Sequence, residues 1–346
     1  MQLISPHPRI AVMVLNYNGV RFILPCLDSL TRQSLKRFKI LVIDNGSTDG
    51  SIDLIRERYP QIEILKNGRN LGFAEANNVG IRRVLDQTDY VMLLNNDTVL
   101  EPDAIERMVN AAESDNSIGI VGPLIRDLDS RDKAVELGLG CDVLGYPINN
   151  LCALISDTAP HPFYVAGCAM MIKSDVITTI GYLDPSYFIF VEDLDFCWRA
   201  RLAGFEILAV PTAIVYHKSG GTVPGGVVRT ESHVTTSFRL YLTHRNRMKT
   251  ILKNYGSLYL TFFLPCSIIS GALTFFFGAA ALGQINVVRS YLRAMWSNVK
   301  EAPITLSSRI STQALRKTSD RQIISRMSKK CSLVQSYLKI RSLIVH

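Results

Sequence analysis

Residues 90–99 read Tyr-Val-Met-Leu-Leu-Asn-Asn-Asp-Thr-Val. The run Tyr90–Leu94 is apolar or aromatic without a break and predicts a short strand buried on both faces, as in a parallel sheet. It stops abruptly at four short polar residues, Asn95, Asn96, Asp97 and Thr98. In an open parallel sheet, ligands sit beyond the carboxyl ends of the strands. A carboxylate flanked by amides therefore stands where such a sheet presents its ligand. Asp97 is a hard oxygen donor, and a divalent ion that bridges to phosphates takes only one or two protein carboxylates. The same four residues also favour an Asx-rich turn that merely ends a strand. Taken alone, the tetrapeptide leaves both readings open.

Upstream, the same pattern recurs. Ile10–Leu15 reads as a buried strand followed by Asn16, Tyr17, Asn18 and Gly19, and Phe22, Ile23, Cys26, Leu27 and Leu30 then fall at helical spacing. Phe38–Ile43 is a second strand ending in Asp44 and Asn45, and Ser47 or Thr48 caps a helix carrying Ile52, Leu54, Ile55 and Tyr59. Ile62–Leu65 is a third strand, after which Asn70-Leu71-Gly72-Phe73 opens a helix running through Asn77 to Val84. Four β–α units within the first hundred residues predict an α/β fold with a doubly wound, mostly parallel sheet. The polar clusters at 16–18, 44–45 and 95–97 end successive strands, so they are expected to converge on one sheet edge. No G-x-G-x-x-G follows the first strand, which argues against a dinucleotide reductase, and no G-x-x-x-x-G-K-[ST] occurs, which rules out a P-loop NTPase.

Charge is unevenly placed. From Ile251 onward there are thirteen Lys and Arg against Glu301 and Asp320, a balance of +11 within a total of +8, so the first 250 residues carry −3. The basic excess belongs to the tail, whose expected partner is an anionic surface. The seven cysteines are odd in number and form no C-x-x-C, which predicts reduced, buried thiols and no zinc site. The N-terminal residues lack a basic segment leading into an apolar core, so no signal peptide is expected.

Four segments, VMVLNYNG (12–19), VIDNGSTDG (42–50), NLGFAEANN (70–78) and LLNNDT (93–98), resemble in sequence and order the nucleotide-sugar half of glycosyltransferase family 2, and within it the rhamnosyltransferase-like branch. The resemblance implies the GT-A fold. It implies that Asn16, Tyr17, Asn18 and Asp44, with Asn45 beside it, contact the uracil or thymine and the ribose of a nucleoside-diphosphate sugar. Asn70, Gly72, Phe73 and Asn77 would line the same pocket. Asn95, Asn96 and Asp97 stand at the family's D-x-D position. Only the last carboxylate is present, so Mg²⁺ or Mn²⁺ would rest on Asp97 with help from elsewhere.

Farther on, Glu101-Pro102-Asp103 opens a helix, with Pro in its first turn and acids at its positive end. Ile118–Ile125 is another strand. From Arg126 to Pro162 no period is sustained, which predicts a binding loop or small hairpins, assigned here to acceptor recognition. Tyr164–Lys173 reads as a strand whose Ala166, Gly167 and Ala169 permit close approach of a ligand or neighbouring strand. Residues 188–199 run Phe-Ile-Phe-Val-Glu-Asp-Leu-Asp-Phe-Cys-Trp-Arg, placing three acids at a helix start where the dipole favours their ionised forms. Such acids cap helices, and an ionised one at a pocket edge also accepts a proton from an attacking hydroxyl. The segment resembles the family's F-x-Y-x-E-D-x-D-x-C-x-R signature, with Phe190 in place of Tyr. That resemblance assigns the base to Asp193 with Glu192 in support, while Asp195 and Arg199 are spaced for an intra-helical pair. Two short strands are expected around Pro211. His217, which follows them, occupies a place where the family often puts a metal- or diphosphate-contacting His, so it is expected as a second metal ligand. Ser219–Val228 reads as a glycine-rich lid or linker. Arg245, in a segment resembling the family's R-N stretch, would meet the diphosphate or an anionic acceptor.

Between Lys253 and Arg289 no residue is charged. Leu258–Leu282 is long enough to span a bilayer but is interrupted by Pro265, Gly271 and Gly278 and followed by Gly283. A single crossing would place the basic tail opposite a catalytic domain fed by cytosolic nucleotide sugars, against the preference of positive charge for that side. A re-entrant or interfacial helical hairpin on the cytoplasmic face is therefore preferred to a span. The basic residues beyond it, interleaved with Leu and Ile, read as amphipathic helices on anionic lipid. No nucleic-acid-binding module accompanies them. The expected organisation is a GT-A domain over 1–250, nucleotide-sugar half 1–125 and acceptor half 126–250, then a membrane-associating region over 251–346. The expected activity is inverting transfer of a sugar, rhamnose favoured, from a dTDP- or UDP-sugar to a glycan or lipid-linked glycan in cell-surface polysaccharide assembly. Two alternatives stand beside it. One is a processive synthase, which would carry Q-x-x-R-W. The other is an inactive membrane-recruitment module, against which Asp44, Asp97 and Asp193 argue.

Overall fold

A computed structural model describes residues 9–149, 160–218, 227–229, 234–282 and 285–329. Of the glycine-rich stretch 219–228, only Val227 and Val228 are among them, and Lys330, Lys339 and Arg341 lie outside. The chain divides into two compact units, one within 1–139 and 149–221, the other within 140–148 and 222–346.

The first unit opens as its sequence pattern predicts: β1 (Ile10–Asn16), α1 (Ile23–Thr31), β2 (Phe38–Asp44), α2 (Ser51–Arg58), β3 (Glu63–Lys66), α3 (Gly72–Val84), β4 (Tyr90–Asn95), β5 (Thr98–Leu100) and α4 (Ala104–Glu113). Then come β6 (Ile118–Asp127), β7 (Ala134–Leu137), β8 (Leu139–Cys141) and β9 (Pro147–Asn149), a hairpin that falls mostly in the second unit, and again in the first β10 (Ala169–Lys173), α5 (Ser174–Ile180), α6 (Glu192–Leu202) and β11 (Glu206–His217). The main sheet runs β3-β2-β1-β4-β10-β6-β11-β5, with β7 beside β6. Strands β1 to β4 are mutually parallel where they pair, and β10 is antiparallel to both its neighbours. Alternate residues face opposite layers. Val12, Val14, Val42 and Met92 pack with Ile23, Leu27, Ile105 and Met108. On the other face, Met13 and Ile43 meet α3 so closely that a side chain at Gly80 would strike both. The sheet is covered on both sides, which makes it doubly wound.

Register aligns the polar strand ends. Asn16 pairs with Asp44 and Leu15 with Asn95, so β1, β2 and β4 end level on one edge. The far half of the sheet must bend to meet them. Strands β4 and β5 stand four strand spacings apart in the sheet order, about 19 Å at about 4.8 Å each. Yet only Asn96 and Asp97 separate them in sequence, which allows at most about 11 Å. The long strands β6 and β11 resolve this by curling. Their register slips between Val210 and Ile214, where Pro211 has no N–H for the ladder. The two short strands expected around Pro211 are thus one strand with an irregularity at the proline. Its curl sets His217 opposite Thr98. The aperiodic stretch after Arg126 resolves into β7 and the β8–β9 hairpin, with 150–159 outside the described residues.

In the second unit, β12 (Val227–Arg229) pairs with β13 (Val234–Thr236), followed by α7 (Ser237–Asn254), α8 (Ser257–Leu282), α9 (Ile285–Lys300), α10 (Ala302–Ala314) and α11 (Asp320–Arg326). Helix α8 continues through Pro265, Gly271 and Gly278, which were expected to break it. It packs on α7 and α9.

Candidate active site

Hydrogen bonds between amide side chains tie the level strand ends together. Asn16 is fully buried, donates to Ser47 Oγ at 3.1 Å and Ser51 Oγ at 2.9 Å, and accepts from Asn96 Nδ2 at 2.8 Å. Asn18 adopts φ 48°, which Asn tolerates better than most residues. Its backbone N–H donates to Ser47 Oγ, and its side chain accepts from the Thr48 amide. The Asp44 carboxylate accepts from the Ser47 amide at 3.2 Å. Asn45 makes four bonds, donating to Asn70 Oδ1 and Gly72 O and accepting from Asn67 Nδ2 and the Leu71 amide. It fastens the entry of α3 to the end of β2. Tyr17 and Asn95 are half-buried on the same edge.

The α3 entry also meets the turn before α6. The Phe73 and Ala74 amides donate to Phe188 O, and a side chain at Gly72, which has φ 79°, would collide with Phe188. That turn is strained. Phe188, Phe190 and Val191 all have positive φ, between 65° and 71°. For a β-branched residue this is an outlier, and such strain collects at functional sites where surrounding structure enforces it. Here it aims the first turn of α6. Asp193 Oδ1 accepts from the Leu194 amide at 2.8 Å and Oδ2 from the Gly167 amide at 3.2 Å. The residue is half-buried, and burial of its carboxyl raises it above the usual range against the pull of those amides. Glu192 is buried, and its Oε2 has no hydrogen-bond partner. Burial, and then the charges of Asp193 and Asp195, push it well above the usual carboxylate value. Of the two, Glu192 is the more strongly raised, because Asp193 has two backbone amides on its carboxylate and Glu192 Oε2 has none. Asp195 pairs with Arg199 at 2.9 Å, and Arg199 donates to the carbonyls of Ile180 and Tyr182, bracing the loop behind the strained turn.

The curled end of β11 brings His217 Nε2 to 3.2 Å from Asp97 Oδ1. Burial lowers the imidazole's affinity for a proton, but Cys168 and Asp97 outweigh it and push the group up to about 11. Asp97 Oδ1 is buried with His217 Nε2 beside it. Two cis ligands of an octahedral ion, each about 2.1 Å from it, lie about 3 Å apart, so this N/O pair fits Mg²⁺ or Mn²⁺. Among the described residues no third His, Cys, Asp or Glu completes a cluster. An ion held by this pair would need further ligands from outside the protein, and His217 would have to give up its proton to bind it.

The segment Gly167–Cys168 joins the two centres. The Gly167 amide holds Asp193, Cys168 O accepts from the Asn95 amide, and the Cys168 thiol hydrogen-bonds His217. The Phe73 ring lies against Gly167 from the α3 side.

Glu136 on β7 has no counterpart in the sequence reading. It accepts from the Ala166 amide, next to the amide that holds Asp193, and lies within electrostatic reach of Asp193 and His217. Burial first, and then the Asp193 charge, push it up to about 7. It sits alone in an aperiodic stretch, so nothing local marks it. Two further expected site residues make contacts of their own. Asn77 is buried inside α3 and donates to Phe73 O. Arg245 belongs to the second unit, where it is buried near Glu301 and donates to Asn246.

The family model for glycosyl transferase family 2 matches residues 11–178, from β1 through most of α5. That stretch is a glycosyltransferase family 2 module. Among curated relatives of this glycosyltransferase, the N-acetylglucosaminyl-diphospho-decaprenol L-rhamnosyltransferase of Mycobacterium tuberculosis is 28% identical over 221 residues, covering 57% of this chain and 72% of that protein. Among solved structures, GalNAc-T7 with UDP, GalNAc and Mn²⁺ matches with a TM-score of 0.60 at 16% identity, over 76% of this chain and 52% of that one. A mannosyltransferase from Pyrobaculum calidifontis with GDP-Man and Mn²⁺ matches with a TM-score of 0.52 at 14% identity, over 97% and 88%. The glycosyltransferase thus has the GT-A fold, with its amide-lined strand ends on the edge where such a sheet takes ligands.

Proposed function

We propose that this glycosyltransferase moves a sugar, rhamnose favoured, from a dTDP- or UDP-sugar to a hydroxyl of a glycan or lipid-linked glycan, with inversion, at the cytoplasmic face of a membrane. The observation that carries the reading is the Gly167–Cys168 bridge. One dipeptide holds Asp193 on one side and touches the His217–Asp97 pair on the other. Base and diphosphate site therefore adjoin a single reacting centre, as in-line displacement requires. Asn16, Tyr17, Asn18, Asp44, Asn45, Asn70, Gly72 and Phe73 form the nucleoside side, with Asn95 and Asn96 beside them. Asp97 and His217 hold Mg²⁺ or Mn²⁺, which when bound offsets charge gathering on the departing diphosphate. Ionised Asp193 takes the acceptor's proton as its oxygen attacks the anomeric carbon from the face opposite the diphosphate. Glu192 stays protonated beneath it, so that no second buried anion competes. Rhamnose and the lipid-linked acceptor are supported by the name of the mycobacterial relative, and the divalent ion by the Mn²⁺ in both structural neighbours. Titration calorimetry with dTDP-, UDP- and GDP-sugars tests the donor site. Binding of a dTDP- or UDP-sugar that strengthens with Mn²⁺ is expected, and absence of binding by every donor contradicts the proposal.

A further inference from the structure

Helix α8 is built inside out for a protein in water. Its inward face carries Ser267, Ser270 and Gly271, all buried, with Phe275 the one large apolar side chain buried among them, against Val287 and Tyr291. Ser267 receives the buried Arg247 guanidinium, Ser270 meets Tyr146 Oη at 3.2 Å, and Gly271 abuts the His244 ring. Its outward face carries Leu258, Phe262, Ile269, Leu273, Phe276 and Phe277, all exposed. A core helix shows the reverse pattern. The apolar surface continues onto α9 and α10 through Leu292, Trp296, Val299, Ile304 and Ile310, also exposed. A patch of this extent marks an interaction site.

Charge identifies the occupant. From α8 onward the described residues include two acids, and both are neutralised internally, Glu301 by Lys249 and Arg245, Asp320 by Arg316 at 2.8 Å. Every fully exposed charge there is positive: Arg289, Arg293, Lys300, Lys317, Arg321, Arg326 and Lys329. Apolar side chains rimmed only by cations match a bilayer surface with anionic headgroups.

The depth follows from packing. By length and composition α8 is able to cross a bilayer. However, Tyr291 Oη donates to Ile268 O at 2.9 Å, near the middle of α8, and exposed Arg289 and Arg293 flank Tyr291 on α9. A crossing would carry two uncompensated arginines toward the bilayer midplane, which is costly. We infer that α8 lies in the plane of one leaflet, with its phenylalanines in the acyl boundary and Arg289, Arg293 and Lys300 at the phosphates, so that the second unit docks on one side of the membrane without crossing it. This deepens the membrane-face reading given above, and donor turnover in detergent tests that activity separately.

The full chain is diluted from detergent into preformed vesicles of phosphatidylcholine with or without phosphatidylglycerol. Trp296 is exposed and Trp198 is buried in the first unit, so brominated acyl chains should quench fluorescence that Trp296→Phe removes. Arg289→Gln with Lys300→Gln should weaken binding to phosphatidylglycerol vesicles about 25-fold, roughly fivefold per charge. In a Cys266→Ser, Cys331→Ser background, Ser257→Cys and Asn286→Cys should both react with an impermeant maleimide added outside. Protection of one end would mean a span and overturn the inference. Vesicle-independent dimerisation without quenching would assign the face to a second copy and overturn it equally.

Discussion

At the scale of single residues, the carboxylates around Asp193 make separable predictions. Glu192 has a folded-state value raised well above the ordinary 4.3 or so of a glutamate. Its charged form is penalised in the fold, so stability falls as pH rises from the unfolded value through the folded one. Glu192→Gln should therefore raise the urea midpoint at pH 8 more than at pH 5, while turnover stays within a few fold of the parent. Turnover lost a hundredfold with nucleotide affinity intact would show instead that Glu192 works ionised. Glu136 interacts with Asp193 through space, and the interaction is mutual. Asp193 ionises first, so Glu136 is still protonated along the acid limb of the kcat/KM profile, and Glu136→Gln should leave that limb in place while removing the titration near 7. A limb that moves would show that Glu136 already carries charge beside Asp193 at acid pH. The acid cluster was legible because three acids follow an apolar run at a helix start, and the family resemblance is what singled out Asp193 within it. Glu136 was not, since a lone acid acquires meaning only when β7 is laid against β6 and Ala166 donates to it.

At the scale of elements, side-chain amides tie together the strand ends that form the proposed nucleoside pocket. Asn45 spans from the end of β2 to the entry of α3 with four hydrogen bonds. Asn45→Ala leaves several of those partners unsatisfied, which costs about 2 kcal/mol of stability. It also frees Gly72 and Phe73, so donor affinity should fall at least tenfold by calorimetry. Unchanged affinity would show that the α3 entry does not line the donor site. The convergence of the 16–18, 44–45 and 95–97 clusters was readable from the alternation of strands and helices, because parallel strands must end on a common edge. The curl of β11 was not. Pro211 reads locally as a break, whereas pairing with β6 on both sides of it turns it into a bend that delivers His217. Likewise Pro265 and the glycines of α8 read as interruptions, but packing on α7 and α9 carries the helix through them.

At the scale of the whole molecule, the −3 and +11 charge balances separate a nucleotide-handling part from a basic tail. Attraction to anionic lipid is screened by salt. Raising salt from about 0.05 to 0.5 M should release the protein partially from phosphatidylglycerol vesicles, leaving the apolar contribution of α8. Complete release by salt would reduce the contact to charge alone. The tail's charge was plain in the sequence, but the outward turn of its apolar side chains is a property of packing. The central claim is that Asp193 removes the acceptor proton beside a diphosphate held through Asp97 and His217. The most direct measurement compares nucleotide-sugar turnover by purified parent, Asp193→Asn and Asp97→Asn in detergent with Mn²⁺, with nucleotide binding measured on each sample. The account predicts metal-dependent turnover in the parent and a 10²- to 10⁴-fold lower rate in Asp193→Asn at unchanged nucleotide affinity. It predicts a lost metal response in Asp97→Asn. Turnover in Asp193→Asn equal to the parent's would contradict it.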